Sequence, residues 1–170
     1  MKDATPQEHK AHAPASVGCF VLTISDSKTP DTDTSGALIR ELLTAAGHRV
    51  AGHAIVRDEP AQVTAVIRSG CSAPSVEVFI LTGGTGITKR DSTFEALEAM
   101  LDKRLTGFGE LFRMLSYQEI GPAAMLSRAQ GGVVEGRVLF SLPGSPNACR
   151  LALESLIIPE LGHLIREVNR

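Results

Sequence analysis

A three-layer α/β/α fold around a mostly parallel, mixed sheet is predicted by three features of the 170-residue chain. Residues 17–25 and 76–82 are continuous apolar, partly β-branched runs, the pattern of strands buried on both faces of a parallel sheet. Strand-like and helix-like segments alternate three times, which calls for right-handed crossovers and helices on both faces. Near the C-terminus two apolar stretches flank Glu135-Gly136, a spacing suited to a tight hairpin that adds an antiparallel element.

The elements follow in order. Residues 1–16 hold Pro6, His9, His12 and Pro14 without periodicity and read as a flexible arm, leaving 17–170 as one domain. After the first strand, Thr34 or Ser35 can cap a helix that carries Leu38, Ile39, Leu42 and Leu43 on one face and stops at Gly47. Residues 49–56 form a second strand. Pro60 then opens a helix with Val63, Val66 and Ile67 inward, closed by Gly70. The third strand, 76–82, runs into Gly83-Gly84-Thr85-Gly86. Ser92 and Glu95 have capping-box spacing before a helix over 93–103. Leu111, Met114 and Leu115 favour a helix over 110–120, with a short one after Pro122. Finally Ser145 and Pro146 open a helix that Pro159 kinks or divides.

Composition removes several functional classes. Hydrophobic residues make up 43% and charged residues 21%, enough to fill a core and unlike a disordered chain. The formal charge is −2 and aromatic content 4%, so neither a positive field nor stacking platforms favour nucleic acid. No apolar run is long enough to span a bilayer and no signal core follows the N-terminus, which predicts a soluble, cytoplasmic protein. Cys19, Cys71 and Cys149 are odd in number and lack ligand spacing, as expected for reduced core thiols.

The chemistry concentrates at the carboxyl ends of strands, the edge where open α/β sheets take ligands. Gly83, Gly84 and Gly86 around Thr85 allow close backbone approach and consecutive N–H groups aimed at an anion; a turn needing glycine for geometry alone is the alternative. The loop lacks the Gly-Lys-Ser/Thr of a P-loop and the third glycine of a dinucleotide fingerprint. Lys89 and Arg90 bring positive charge to the same mouth. Asp91, and Asp58 after the second strand, are candidate Mg²⁺ oxygen ligands, with cap or helix-start roles as alternatives. In Leu142-Pro143-Gly144-Ser145-Pro146, free amides and the Ser145 hydroxyl suit a second anionic group or a plain helix cap. Glu110, Arg113 and Ser116 lie three apart on one helix and offer either polar contacts to a heterocycle or a solvated face.

Three ordered motifs carry a family resemblance: Thr82-Gly83-Gly84-Thr85-Gly86 with Arg90-Asp91, the segment from Gly107 to Ser116, and Leu142-Pro143-Gly144-Ser145-Pro146. Together they resemble the molybdenum-cofactor biosynthesis family of MoaB and MogA, more nearly the MoaB branch. The resemblance implies a trimer or dimer of trimers that binds molybdopterin. Active members adenylylate molybdopterin with Mg-ATP, releasing pyrophosphate. Residues 83–86 then line the nucleotide phosphate site, Asp58 and Asp91 match functionally important acidic positions, and Gly144 and Ser145 match the segment touching the pterin side. A molybdenum insertase is an implied partner. A non-catalytic molybdopterin carrier or regulatory oligomer is the alternative.

Overall fold

The computed structural model describes residues 13–89 and 91–170. His9, His12 and Arg90 lie outside the described residues, as does most of the segment expected as an arm; within that segment Pro14 lies against Gly162. Among the described residues six strands form one sheet: β1 (Gly18–Ile24), β2 (Arg49–Val56), β3 (Val78–Thr82), β4 (Lys103–Arg104), β5 (Gln130–Val134) and β6 (Arg137–Leu142). Their order is β2-β1-β3-β6-β5-β4. The first four in that order are parallel, whereas β5 runs antiparallel to both β6 and β4. The predicted mixed sheet is therefore present, with Glu135 and Gly136 turning the hairpin at φ 47° and 74°.

Helices α1 (Thr34–Ala45), α2 (Pro60–Cys71), α3 (Thr93–Met100), α4 (Thr106–Ile120), α5 (Pro146–Ala152) and α6 (Ile158–Val168) cover the sheet. A 3-10 segment, Gly121–Leu126, follows α4, and a π-turn, Leu153–Ile157, joins α5 to α6. The π-turn ends just before Pro159, which lacks the N–H needed to continue an α-helical ladder, so the expected break is there. Alternate residues of β1 divide between two cores. Cys19 and Val21 pack with Ile39, Phe112, Leu153 and Leu161 beneath α1, α4, α5 and α6. Leu22 and Ile24 pack with Val63, Ile67 and Leu97 beneath α2 and α3. All five residues of β3 are buried, as its uninterrupted apolar run requires.

Several boundaries differ from expectation for identifiable reasons. Asp33, and neither Thr34 nor Ser35, caps α1: its Oδ1 accepts from Gly36 N–H at 2.9 Å. Strand β3 begins at Val78 because Val76 closes a turn on Ala73. The capping box at α3 does not form; Ser92 makes no side-chain cap bond, and Glu95 turns to Arg128 instead. Helix α3 stops at Met100 because Lys103 and Arg104 pair with β5, a strand the helical pattern concealed. Helix α4 starts at Thr106, four residues before the expected 110.

Candidate functional site at the carboxyl edge of the sheet

Parallel register places the ends of four strands together. Ile24 pairs with Val56, Thr23 with Thr82, and Thr82 with Leu142, so Ser25, Asp58, Gly83 and Pro143 all emerge at one edge. Helix α1 leaves β1 over one face, while α3, after β3, covers the other. The β1/β3 boundary is thus the switch point of the sheet, the usual place for a ligand crevice. Gly83 occupies it. Its N–H donates to Leu142 carbonyl at 3.0 Å, and a Cβ would stand 2.2 Å from Ile24 carbonyl oxygen. At φ +96° the position excludes a side chain on two counts.

The glycine loop is held from outside by a residue with no local sequence signal. Arg128 Nε donates to Thr85 carbonyl at 3.2 Å, another guanidinium nitrogen donates to Gly86 carbonyl, and a third pairs with Glu95. The Glu95 carboxyl sits below its ordinary value, held there by its own backbone N–H and by Arg128. Asp91 closes the loop: its Oδ2 accepts from Thr88 N–H at 2.7 Å, and its N–H donates to Thr88 carbonyl at 3.0 Å. Gly86 lies against that carboxylate so closely that a Cβ would be 2.3 Å from Oδ2.

Asp58 stands at the same edge, two residues beyond β2. Its backbone N–H donates to Asp26 Oδ1 at 3.3 Å, and Arg57 Nε reaches the same oxygen at 3.3 Å. Asp58 Oδ1 is buried with no hydrogen-bond partner. A buried carboxylate oxygen without a donor is costly unless a cation or ligand donor completes it. Asp58 therefore suits a Mg²⁺ ion, which binds through one or two carboxylates plus substrate phosphates. Among the described residues no group of three or more His, Cys, Asp or Glu side chains is assembled around a metal position.

On the other side of Gly83 lies the Pro143-Gly144-Ser145 turn. Ser145 caps α5 as expected, its Oγ accepting from Ala148 N–H at 3.2 Å. Cys149 sits beneath, its Sγ 3.2 Å from Thr82 Oγ1, and burial pushes its thiol up. Asp33, only 2% exposed, accepts from Thr23 Oγ1 at 2.7 Å and lies 3.1 Å from His53 Nε2. Neither Asp33 nor Arg128 was singled out by local pattern, since Arg128 meets its partners, and Asp33 meets Thr23 and His53, only across the fold. The one cue was the Asp33-Thr34-Ser35-Gly36 order, with the cap three residues before Gly36.

The three residues expected to share a face of α4 divide. Glu110 and Arg113 line a cavity of about 290 Å³ with Phe94, Arg104 and Gln130, and Arg113 Nη1 donates to Ala129 carbonyl at 3.3 Å. Ser116 does not line that cavity. It is buried on the stripe of Phe108 and Phe112, since four-residue steps carry a helix face inward where three-residue steps drift.

Comparison with known proteins agrees with this architecture. Residues 20–163 match the family described as probable molybdopterin binding domain. Molybdenum cofactor biosynthesis protein B of Bacillus cereus is 52% identical over 164 residues, 96% of this chain and 97% of its own. A crystal structure of a molybdenum cofactor biosynthesis protein B superposes with TM-score 0.90 at 52% identity, covering 94% of this chain and 99% of that one. The tungsten cofactor synthesizing protein MoaB from Pyrococcus furiosus gives 0.81 at 38% identity, covering 93% and 100%. With its glycine loop at the switch point and its whole domain matched, the chain belongs to the MoaB and MogA family of molybdenum cofactor biosynthesis proteins.

Proposed function

We propose that the protein acts in molybdenum cofactor biosynthesis by adenylylating molybdopterin with Mg-ATP, giving adenylyl-molybdopterin and pyrophosphate. The observation that carries this reading is the orphaned, buried Asp58 Oδ1 at the same sheet edge as the glycine loop. A glycine loop and an unsatisfied carboxylate emerging at one sheet edge suit a phosphate group arriving with its cation. The relatives named above support the pathway.

The terminal phosphate oxygen of molybdopterin attacks the α-phosphorus of ATP; that O–P bond forms as the bond to the β-phosphate bridging oxygen breaks, and the electron pair leaves with pyrophosphate. The attacking phosphate is already anionic, so no strong base is needed and positioning supplies most of the rate. Gly83, Gly84, Thr85 and Gly86 present backbone to the nucleotide phosphates, Asp58 and Asp91 supply oxygen ligands, and Gly144 and Ser145 hold the pterin side. Mg²⁺ bound with ATP supplies charge neutralisation on the leaving group. Glu110 and Arg113 offer polar contacts from the neighbouring cavity.

Self-association, as a trimer or dimer of trimers, is part of the same reading. It is supported by exposed Leu111, Met114, Tyr117 and Ile120 along α4, continued by Met125 and Leu126. An insertase is the proposed recipient of the product. No helix among the described residues is long and apolar enough to cross a membrane, in keeping with a cytoplasmic setting for the reaction.

Pyrophosphate release from Mg-ATP, with and without molybdopterin, tests the reaction in wild type and Asp91→Asn. Molybdopterin-dependent release that is lost in the variant is expected. Saturable molybdopterin binding without release from wild type would leave a carrier instead.

A further inference from the structure

Strand β2 lies at a rim of the sheet and, among the described residues, pairs only with β1. Val56 turns its carbonyl to β1, where it accepts from Ser25 N–H at 2.8 Å. Backbone groups alternate in direction along a strand, so His53 and Ile55 turn their N–H and C=O groups away from the sheet. Every β2 residue after Arg49 is partly exposed.

A cavity stands on each side of this strand, and Ala54 lines both. The first, of about 540 Å³ between β2 and α2, is walled by Phe20, Ala51, Ala65, Val66 and Gly70, and no charged residue lines it. Phe20 is the one residue of β1 that is not fully buried. Gly52 beside it carries no side chain, and a Cβ there would stand 2.6 Å from the Phe20 ring. The rim strand thus leaves an aromatic ring of an interior strand uncovered. The second cavity, of about 420 Å³, is lined by Lys28, Thr29, Pro30, His53 and Ile55. Its charges are Lys28 and, when protonated, His53, whose Nε2 lies 3.1 Å from buried Asp33. Ser25 Oγ accepts from Lys28 N–H at 3.2 Å, whereas the Lys28 ammonium has no partner among the described residues.

An extended segment laid beside β2 has its side chains sorted by the sheet, because cross-strand neighbours share a face. The residue next to Ala54 lies over the apolar cavity, and those next to His53 and Ile55 lie over the cavity of Lys28. A large apolar side chain fills the first and an acid matches the second. A second copy of this chain meets neither need: β2 against β2 brings only Ala51, Gly52 and Ala54 to the apolar cavities, and a second Lys28 where an acid is required.

We propose that β2 is a docking edge for an extended segment of another protein in which acidic and large apolar residues alternate. Main-chain hydrogen bonds to His53 and Ile55 hold the segment, and the two cavities read its alternate side chains.

The experiment uses the full chain, labelled with ¹⁵N, and a capped, fluorescein-labelled peptide of eight residues, the length of β2, alternating glutamate and leucine. Saturable binding by anisotropy is expected, with slowed hydrogen exchange at the His53 and Ile55 amides. Lysine in place of every glutamate weakens binding about tenfold. Lys28→Glu weakens the glutamate peptide about fivefold and strengthens the lysine peptide, a crossed response that loss of stability cannot produce. Ala65→Phe, at an exposed position of α2, fills the apolar cavity and weakens both peptides. A peptide of the same residues with its leucines grouped together leaves the two amides unprotected. Binding without protection of His53 and Ile55, indifference to Lys28→Glu, equal affinity for the grouped peptide, or no saturable binding by wild type would each overturn this partner. Protection of the two amides that rises with protein concentration in the absence of peptide would make the occupant a second copy and overturn it as well.

Discussion

Arg128 lies over Phe94, its Cζ 4.5 Å from the ring centroid, while the same guanidinium grips the carbonyls of Thr85 and Gly86. A ring beneath and two carbonyls at the rim fix a planar cation better than a flexible ammonium. Arg128→Lys keeps the charge but cannot reproduce the fork. It is expected to lower kcat/KM for molybdopterin-dependent pyrophosphate release at least tenfold while costing only about 1 kcal/mol of stability. Steady-state kinetics beside urea unfolding checks both parts, and a fully active lysine variant would remove Arg128 from the site.

Gly83 and Gly144 lie against one another, yet they should answer alanine differently. At Gly83 a methyl would collide with the Ile24 carbonyl in a left-handed backbone, so Gly83→Ala is expected to cost several kcal/mol, more than about 3 kcal/mol. At Gly144 a methyl would meet only Gly83, its Cα at an ordinary 3.6 Å and its N at 3.9 Å. Gly144→Ala should therefore melt within a few degrees of wild type and lose ligand affinity by obstruction alone. Thermal melts paired with molybdopterin binding separate the two effects.

Asp33 joins β1, β2 and α1 through one buried carboxylate. Asp33→Ala removes the α1 cap and strands the Thr23 hydroxyl and the His53 ring nitrogen, at a cost of about 2–4 kcal/mol. Asp33→Asn retains an acceptor for Gly36 N–H and should lose less. Urea midpoints for the two variants test that order; equal losses would show that capping is not the larger part.

How far the amino-acid pattern reached can be judged residue by residue. Periodicity located β2 and the Glu135-Gly136 hairpin, because local alternation and turn chemistry decide both. The two-residue β4 was illegible, since it exists only by pairing with Gly132 and Val133, far along the chain. The site divides similarly. Gly83, Asp58 and Ser145 were visible because strand ends and helix starts announce themselves. Arg128 was not, and Ser35 and Thr82 were read only as a cap candidate and a motif residue, because each acts on a backbone carbonyl that only the folded sheet brings near.

Burial raises the Cys19 thiol to about 12, with Glu77 adding to the effect. A raised pKa means that the folded state holds its proton more tightly than the unfolded chain, where the thiol titrates near 9.0. The stabilisation is complete below pH 9 and is lost as pH climbs towards 12. Between pH 9 and 10.5 the unfolding free energy should fall by about 1–2 kcal/mol through this group. Urea midpoints across that range are expected to decline less steeply in Cys19→Ala than in wild type; identical slopes would exclude the thiol as the cause.

The two rims of the sheet carry different protection against unwanted company. At one rim β4 offers only Lys103 and Arg104, both exposed, a strand too short and too cationic for another chain to add to. At the other, β2 presents eight residues in which Arg49 is the only charged side chain apart from His53 when protonated. Among the described residues strand addition therefore has one open direction, and a lysine introduced at an outward position of β2 would close it.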